Sequence, residues 1–362
     1  MARKRHTAEQ IIGKLRDELL NRGIFYTLRE AQVLIEAWRR VSTEAGELQC
    51  ACWRPSGSRC ETVPTHQRPL TGDPPVSSIR RYALIAAKGA IAAIALATAF
   101  AAPLHAEPVA LKTTELGRGP TIVFVHGLGL SRNDWLPTAR KLLSRYRVVL
   151  VDLPGHGDSP LPDPFSFVTA GEALDAVLAR LNPDSTIVVG HQFGGRVALA
   201  ALAAHPGRAK GLMLIDVPVG IPLQIDDQQK KQFLDFMDRS FETVSRLLFS
   251  KLGRDTTQSK DLYAMVSQTQ PATLKAFVRE GFYSDGNKDA KAIKVPVRVL
   301  LTSRAWKDGE TPGAVLKQLG WEDTTGTPKR VPDSGLWVMK DQPDSLAAWI
   351  GAFAAERVAA KK

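Results

Sequence analysis

After position 120 the chain carries four short runs rich in β-branched and aliphatic residues: Thr121–Val125, Arg147–Val151, Ser185–Val189 and Val297–Leu301. Apolar runs of this length without polar alternation suit strands buried on both faces of a parallel sheet. Between them the period changes. Leu174, Val177, Leu178 and Leu181 recur at helical spacing and offer one face to a sheet. Arg196–Ala204 is rich in alanine and leucine and reads as a buried helix. The interval from Ile215-Asp216 to Val297 is polar and helix-rich, and its stripe of Phe233, Phe236, Met237, Phe241, Val244, Leu247 and Leu248 is expected to pack helices rather than line a ligand box. A closing helix, Ser345–Glu356, is expected to turn Leu346, Trp349, Ile350 and Phe353 inward. Strands alternating with helical segments predict an α/β fold built on a mostly parallel sheet.

The junction between one strand and its helix is unusual. Gly190-His191-Gln192-Phe193-Gly194-Gly195 has the glycine spacing of a nucleophile elbow, in which a strained strand-to-helix turn lifts one side chain out of the sheet. The lifted residue is Gln192, whose amide has no proton that a general base can remove to make an attacking oxygen. Upstream, the first strand ends in His126-Gly127-Leu128-Gly129, and the second in Asp152-Leu153-Pro154-Gly155-His156-Gly157-Asp158-Ser159. In this order the three stretches resemble the α/β-hydrolase family, over roughly Thr114 to the C-terminus. The resemblance implies helices on both faces of the sheet, a helical cap at about residues 220–292, and chemistry of esterase or lipase type.

It also assigns positions. Gln192 holds the place of the nucleophile. The family's histidine follows a late strand in a Gly-His pair, and Ser334-Gly335-Leu336-Trp337 places Leu336 there. No histidine follows His205. The acid belongs to the loop after Val297–Leu301, where Asp308 is the best match and Trp306 equally holds the position; with no histidine to orient, Asp308 reads as a surface charge. The oxyanion hole needs only backbone N–H groups, by position those of Leu128 and Phe193. His126, His156 and His191 fall where the family has structural histidines, and His205 reads as a helix-end residue. Gly127, Gly129, Gly190 and Gly194 serve the turns.

The first hundred residues are of another kind. Arg80, Arg81 and Lys88 precede the apolar run Gly89–Ala102, and Pro103-Leu104-His105-Ala106 ends in a small residue before Glu107. These are the parts of a secretory signal peptide, and cleavage after Ala106 leaves 256 residues. The run falls short of the ~20 residues of a spanning helix; an uncleaved membrane anchor is the second reading and a buried alanine-rich helix the third. Residues 1–40 resemble two fragments of bacterial insertion-sequence transposase proteins, Met1–Arg16 and Ile24–Arg40, without room for a complete DNA-binding unit. Residues 41–79 lack an apolar period and are expected to be a disordered linker. Val76, just ahead of Ser77-Ser78-Ile79-Arg80-Arg81, is a candidate translation start.

Cys50, Cys52 and Cys60 lack a fourth ligand at convincing spacing, so no metal is expected, and no cofactor. The net charge of +11 divides into +6 over residues 1–106 and +5 over the rest, spread along the chain, which supports no nucleic-acid partner. The expectation is a periplasmic or secreted protein, or one anchored in the inner membrane through residues 80–103, of α/β-hydrolase fold with its ancestral activity impaired. A small-molecule or acyl ligand fits that reading, and the oligomeric state is not legible. An active hydrolase with a non-standard site and a transposition-related DNA binder are the alternatives.

Overall fold

The computed structural model describes residues 108–220, 227–249, 252–323 and 327–358. The transposase-like, linker and signal-peptide segments and all three cysteines lie outside the described residues, as does the candidate start at Val76. The described strands are β1 (Thr113–Leu116), β2 (Thr121–Val125), β3 (Arg147–Val151), β4 (Thr186–His191), β5 (Gly211–Ile215), β6 (Val297–Thr302) and β7 (Lys329–Val331). They form one sheet in the order β1-β3-β2-β4-β5-β6-β7, parallel throughout except for β1, which runs antiparallel to β3.

The helices are α1 (Leu136–Ala139), α2 (Phe167–Leu178), α3 (Phe193–Ala204), then five between β5 and β6: α4 (Asp227–Arg239), α5 (Phe241–Phe249), α6 (Thr256–Val266), α7 (Pro271–Tyr283) and α8 (Asn287–Ala292). After β6 come α9 (Pro312–Gln318), α10 (Val338–Asp341) and α11 (Pro343–Arg357). Burial explains the runs read from sequence: every residue of β2, β4 and β5 is buried, so apart from Thr121, Thr186 and His191 their side chains are apolar on both faces. Helix α2 starts where Ser166 accepts the Thr169 N–H at 3.0 Å. It packs tightly on α3, where a Cβ on Gly171 would stand 2.9 Å from the Ala200 methyl.

Three details depart from the pattern. The run expected at Ser185–Val189 begins at Thr186 and continues through His191, because Ser185 belongs to a one-turn 3-10 helix. Val297 is 44% exposed, since β7 pairs only with Leu300–Thr302 and leaves the first half of β6 at an edge. In α11, Leu346, Ile350 and Phe353 face inward, whereas Trp349 is half-buried with the Lys329 ammonium 4.0 Å from its ring centre. In the helical insertion, Leu234, Phe236, Met237 and Val244 form a small core of their own, with Phe233, Phe241 and Phe282 against it.

Candidate active site

Gln192 stands directly beyond β4 with φ +51° and ψ −125°, a conformation L-residues rarely adopt. Its N–H continues the ladder to the Ile215 carbonyl (2.9 Å), and its own carbonyl accepts the Gly195 N–H (2.9 Å), so strand passes into α3 without a loop. Contact forces the glycines. A Cβ on Gly194 would lie 2.1 Å from the His126 carbonyl oxygen, and one on Gly190 would lie 2.6 Å from the Gly195 Cα. The Gln192 side chain lies against Gly127: a Cβ there would be 3.1 Å from both Cβ and Oε1 of Gln192. Oε1 is buried and, among the described residues, accepts no hydrogen bond.

The histidines divide into two kinds. His126 Nε2 accepts the Leu153 N–H (3.0 Å), which leaves its proton on Nδ1, bonded to the Gly127 carbonyl (2.8 Å). His156 repeats the arrangement, Nε2 accepting the Gly129 N–H (3.0 Å) and Nδ1 donating to the Pro154 carbonyl (2.9 Å). Their rings meet edge to face at 5.1 Å. Burial pulls the His126 pKa down to about 4 and that of His156 to about 3. Each ring has spent its lone pair on a loop amide, so neither is a general base. His191 is also buried, edge-on to Trp135, but neither ring nitrogen has a partner among the described residues. Burial first, then the charges of His126 and Arg304, lower its pKa to about 3. His205 ends α3, its N–H bonded to Ala201 and its imidazole near Asp175 at the surface.

Leu336 is buried in the main core, and the loop that carries it is tied on both sides. Its N–H donates to the Leu252 carbonyl (2.8 Å), the Gly335 N–H to Asp341 Oδ2 (2.7 Å), and the Trp337 indole N–H to Asp134 Oδ1 (2.8 Å). Burial pushes the Asp134 carboxyl up, but the Lys340 ammonium at 2.9 Å and the Ser131 N–H and hydroxyl outweigh it and hold the group below its ordinary range. Asp308 is 91% exposed and paired with Arg330 Nη1 at 2.8 Å. Trp306, the other candidate for that place, gives its indole N–H to the Glu310 carbonyl.

The motifs missed a second carboxylate at this end of the sheet. Asp216 follows β5 with φ +49°, buried, accepting the Thr302 N–H on Oδ1 (2.8 Å) and the Thr302 hydroxyl on Oδ2 (2.5 Å). Burial raises its pKa, against those two bonds and the Arg304 charge. Gln192, Asp216 and Asp333 are the non-glycine residues with positive φ among the described residues, and they follow β4, β5 and β7. The carboxyl ends of parallel strands are where open α/β sheets place ligands, and strained backbone gathers at such sites. The readable signal was an aspartate directly after an apolar run, in Ile215-Asp216-Val217-Pro218.

Arg196 ties the elbow helix to the insertion. Buried on α3, it donates to the Val219 carbonyl (2.9 Å) and the Ser284 hydroxyl (2.9 Å), with its guanidinium 4.6 Å from the Phe167 ring centre. Phe193 joins Phe165, Phe167 and Phe277 of α7 in an aromatic cluster beside it.

Residues 120–295 match the family model for the α/β-hydrolase fold. A pimeloyl-[acyl-carrier protein] methyl ester esterase of Pseudoalteromonas atlantica is 35% identical over 207 residues, which are 53% of this chain and 78% of that protein. Its counterpart in Chromobacterium violaceum is 40% identical over 100 residues, 28% of this chain and 38% of its own. Among solved structures, a thermophilic esterase from Thermogutta terrifontis superposes with a TM-score of 0.57 at 19% identity, covering 68% of this chain and 93% of that one. A hydrolase from Oleispira antarctica gives 0.56 at 17% identity, covering 68% and 95%.

Proposed function

The chain belongs to the α/β-hydrolase family, and we propose that it is a member which has lost ester hydrolysis and keeps the site for binding. The observation that carries this reading is the carboxamide of Gln192 at the apex of an intact elbow. An amide supplies no nucleophilic oxygen, and among the described residues neither His126 nor His156 replaces the missing base, since their lone pairs are committed to backbone amides, while Leu336 is aliphatic. His191 is the one imidazole next to the apex with free nitrogens among the described residues, and a pKa of about 3 makes it too weak a base near neutrality.

The esterases that the chain resembles are named for the methyl ester of pimeloyl-[acyl-carrier protein], which favours the apolar chain of an acyl compound as the ligand class here. Export, by cleavage after Ala106, is part of the same proposal and rests on the sequence of residues 80–106; among the described residues no helix is long and apolar enough to cross a membrane. The test is a hydrolysis screen of the purified chain against short- and long-chain esters, methyl esters included. Release of acid at the rate of the buffer blank is expected. Turnover above the blank that survives repurification and disappears with Gln192→Ala would overturn the reading.

A further inference from the structure

Gln192 stands where a serine would react, and its side chain has the shape of that serine after it has reacted. An acylated or carbamoylated serine runs from Cβ through an ester oxygen to a carbonyl carbon. Glutamine runs from Cβ through a methylene to the same carbonyl carbon, with Nε2 in the place of the acyl substituent. The carbonyl oxygen of this built-in group is turned inward. Oε1 is buried, faces the turn at Gly127, and has no donor among the described residues. Two N–H groups on adjoining residues lack acceptors. Phe193 opens α3, so its N–H has no partner within the helix, and Leu128 follows Gly127; among the described residues neither N–H bonds to protein.

A buried acceptor without a donor is costly, and the two amides are donors on the adjoining turns. The terminal torsion of the glutamine side chain, which decides where Oε1 points, is broad and cheap to turn. We propose that the Gln192 carboxamide is the resident ligand of this chain's own carbonyl-binding hole, an uncleavable copy of an acyl group that closes the hole to external carboxylates and ester carbonyls. The inference rests on the reading that position 192 does not react. It adds what fills the hole. A tethered carbonyl is present at high effective concentration, so a free ligand must displace it.

The experiment uses the whole chain labelled with 15N at phenylalanine and leucine, sodium butyrate as the probe, and the variants Gln192→Ala and Gln192→Asn. Asparagine tolerates positive φ and keeps the carboxamide, but is one methylene too short to reach. In the native protein the Phe193 and Leu128 amide resonances are expected to ignore butyrate. In both variants these resonances should move on substitution and then titrate saturably, with binding at least about tenfold tighter than native, as expected when two hydrogen bonds become available. Native protein that titrates as tightly as the variants would overturn the proposal, because the hole would be open. Variants that fold but neither shift these resonances nor bind would overturn it too. Ester hydrolysis by the native protein would sink the earlier reading whatever butyrate does, whereas an inert native protein that binds butyrate sinks only this one.

Discussion

Two sets of residues meet at the carboxyl end of β4, and they differ in how completely their polar groups are satisfied. In the frame, His126 and His156 each spend both ring nitrogens on loop backbone, and Gly190 and Gly194 let two stretches of main chain touch. Around the apex of the turn, Gln192 Oε1 and both nitrogens of His191 are buried without partners among the described residues, and Leu336 is packed as a core side chain. The frame is what the fold needs in order to close the sheet around an elbow. Its contacts run through main chain and the two histidines, and none of them uses the Gln192 carboxamide or the Leu336 side chain. The loss of chemistry proposed above would therefore cost little stability and leave the geometry around it in place.

Acid is expected to break the frame with the largest effect. The three buried histidines have folded pKa values of about 4, 3 and 3 against 6.5 when unfolded. Below 6.5 the unfolded chain binds more protons, so stability falls as pH drops, by up to about 1.4 kcal/mol per unit for each ring. Asp216 opposes this: its raised pKa means the folded state holds a proton that the unfolded state releases above 3.8, so its penalty shrinks as pH falls toward 3.8. The three rings alone would cost on the order of 5 kcal/mol by about pH 5, and Asp216 offsets part of that. Urea midpoints at that pH and near neutrality measure it, and equal midpoints would show that the imidazoles are not buried as described.

Next in size is Gly194→Ala, which sets a methyl 2.1 Å from the His126 carbonyl oxygen, backbone against backbone. A loss of about 3 kcal/mol or more is expected in denaturant unfolding. A variant as stable as the native protein would mean that the elbow is looser than its contacts imply. The smallest effect belongs outside both sets. Asp308→Asn removes an exposed partner of Arg330 and should change stability by less than about 0.5 kcal/mol. A larger loss would show that the pair with Arg330 is not the weak surface contact its exposure implies.

The frame was legible in the sequence because each of its parts is a pattern: apolar runs long enough to be strands, glycines at fixed offsets, histidines next to turns. The strands β1 and β7 left no such trace. Lys329-Arg330-Val331 is too short and too charged to stand out, and Thr113–Leu116 lies half-exposed at the edge. The positive φ of Asp216 could not be read, since a non-glycine residue carries no sign of its backbone conformation. Nor could the orientation of Gln192. Residue type alone says that an amide cannot attack, while only the fold shows its oxygen turned in toward Gly127. Arg196 read as one polar letter in an alanine-rich helix, and its role depends on Val219 and Ser284, which are distant in sequence.

The central claim is that no serine in this chain is activated as a nucleophile. Intact-mass measurement of the native protein after exposure to a fluorophosphonate tests it most directly, because the reagent reports an activated serine wherever it lies and needs no knowledge of the substrate. The account predicts an unchanged mass for the native protein, and an unchanged mass for Gln192→Ser as well, since a hydroxyl without its histidine falls short by about a million-fold. Stoichiometric addition to the native chain, mapped by peptide sequencing to a serine at the carboxyl end of the sheet, would contradict it.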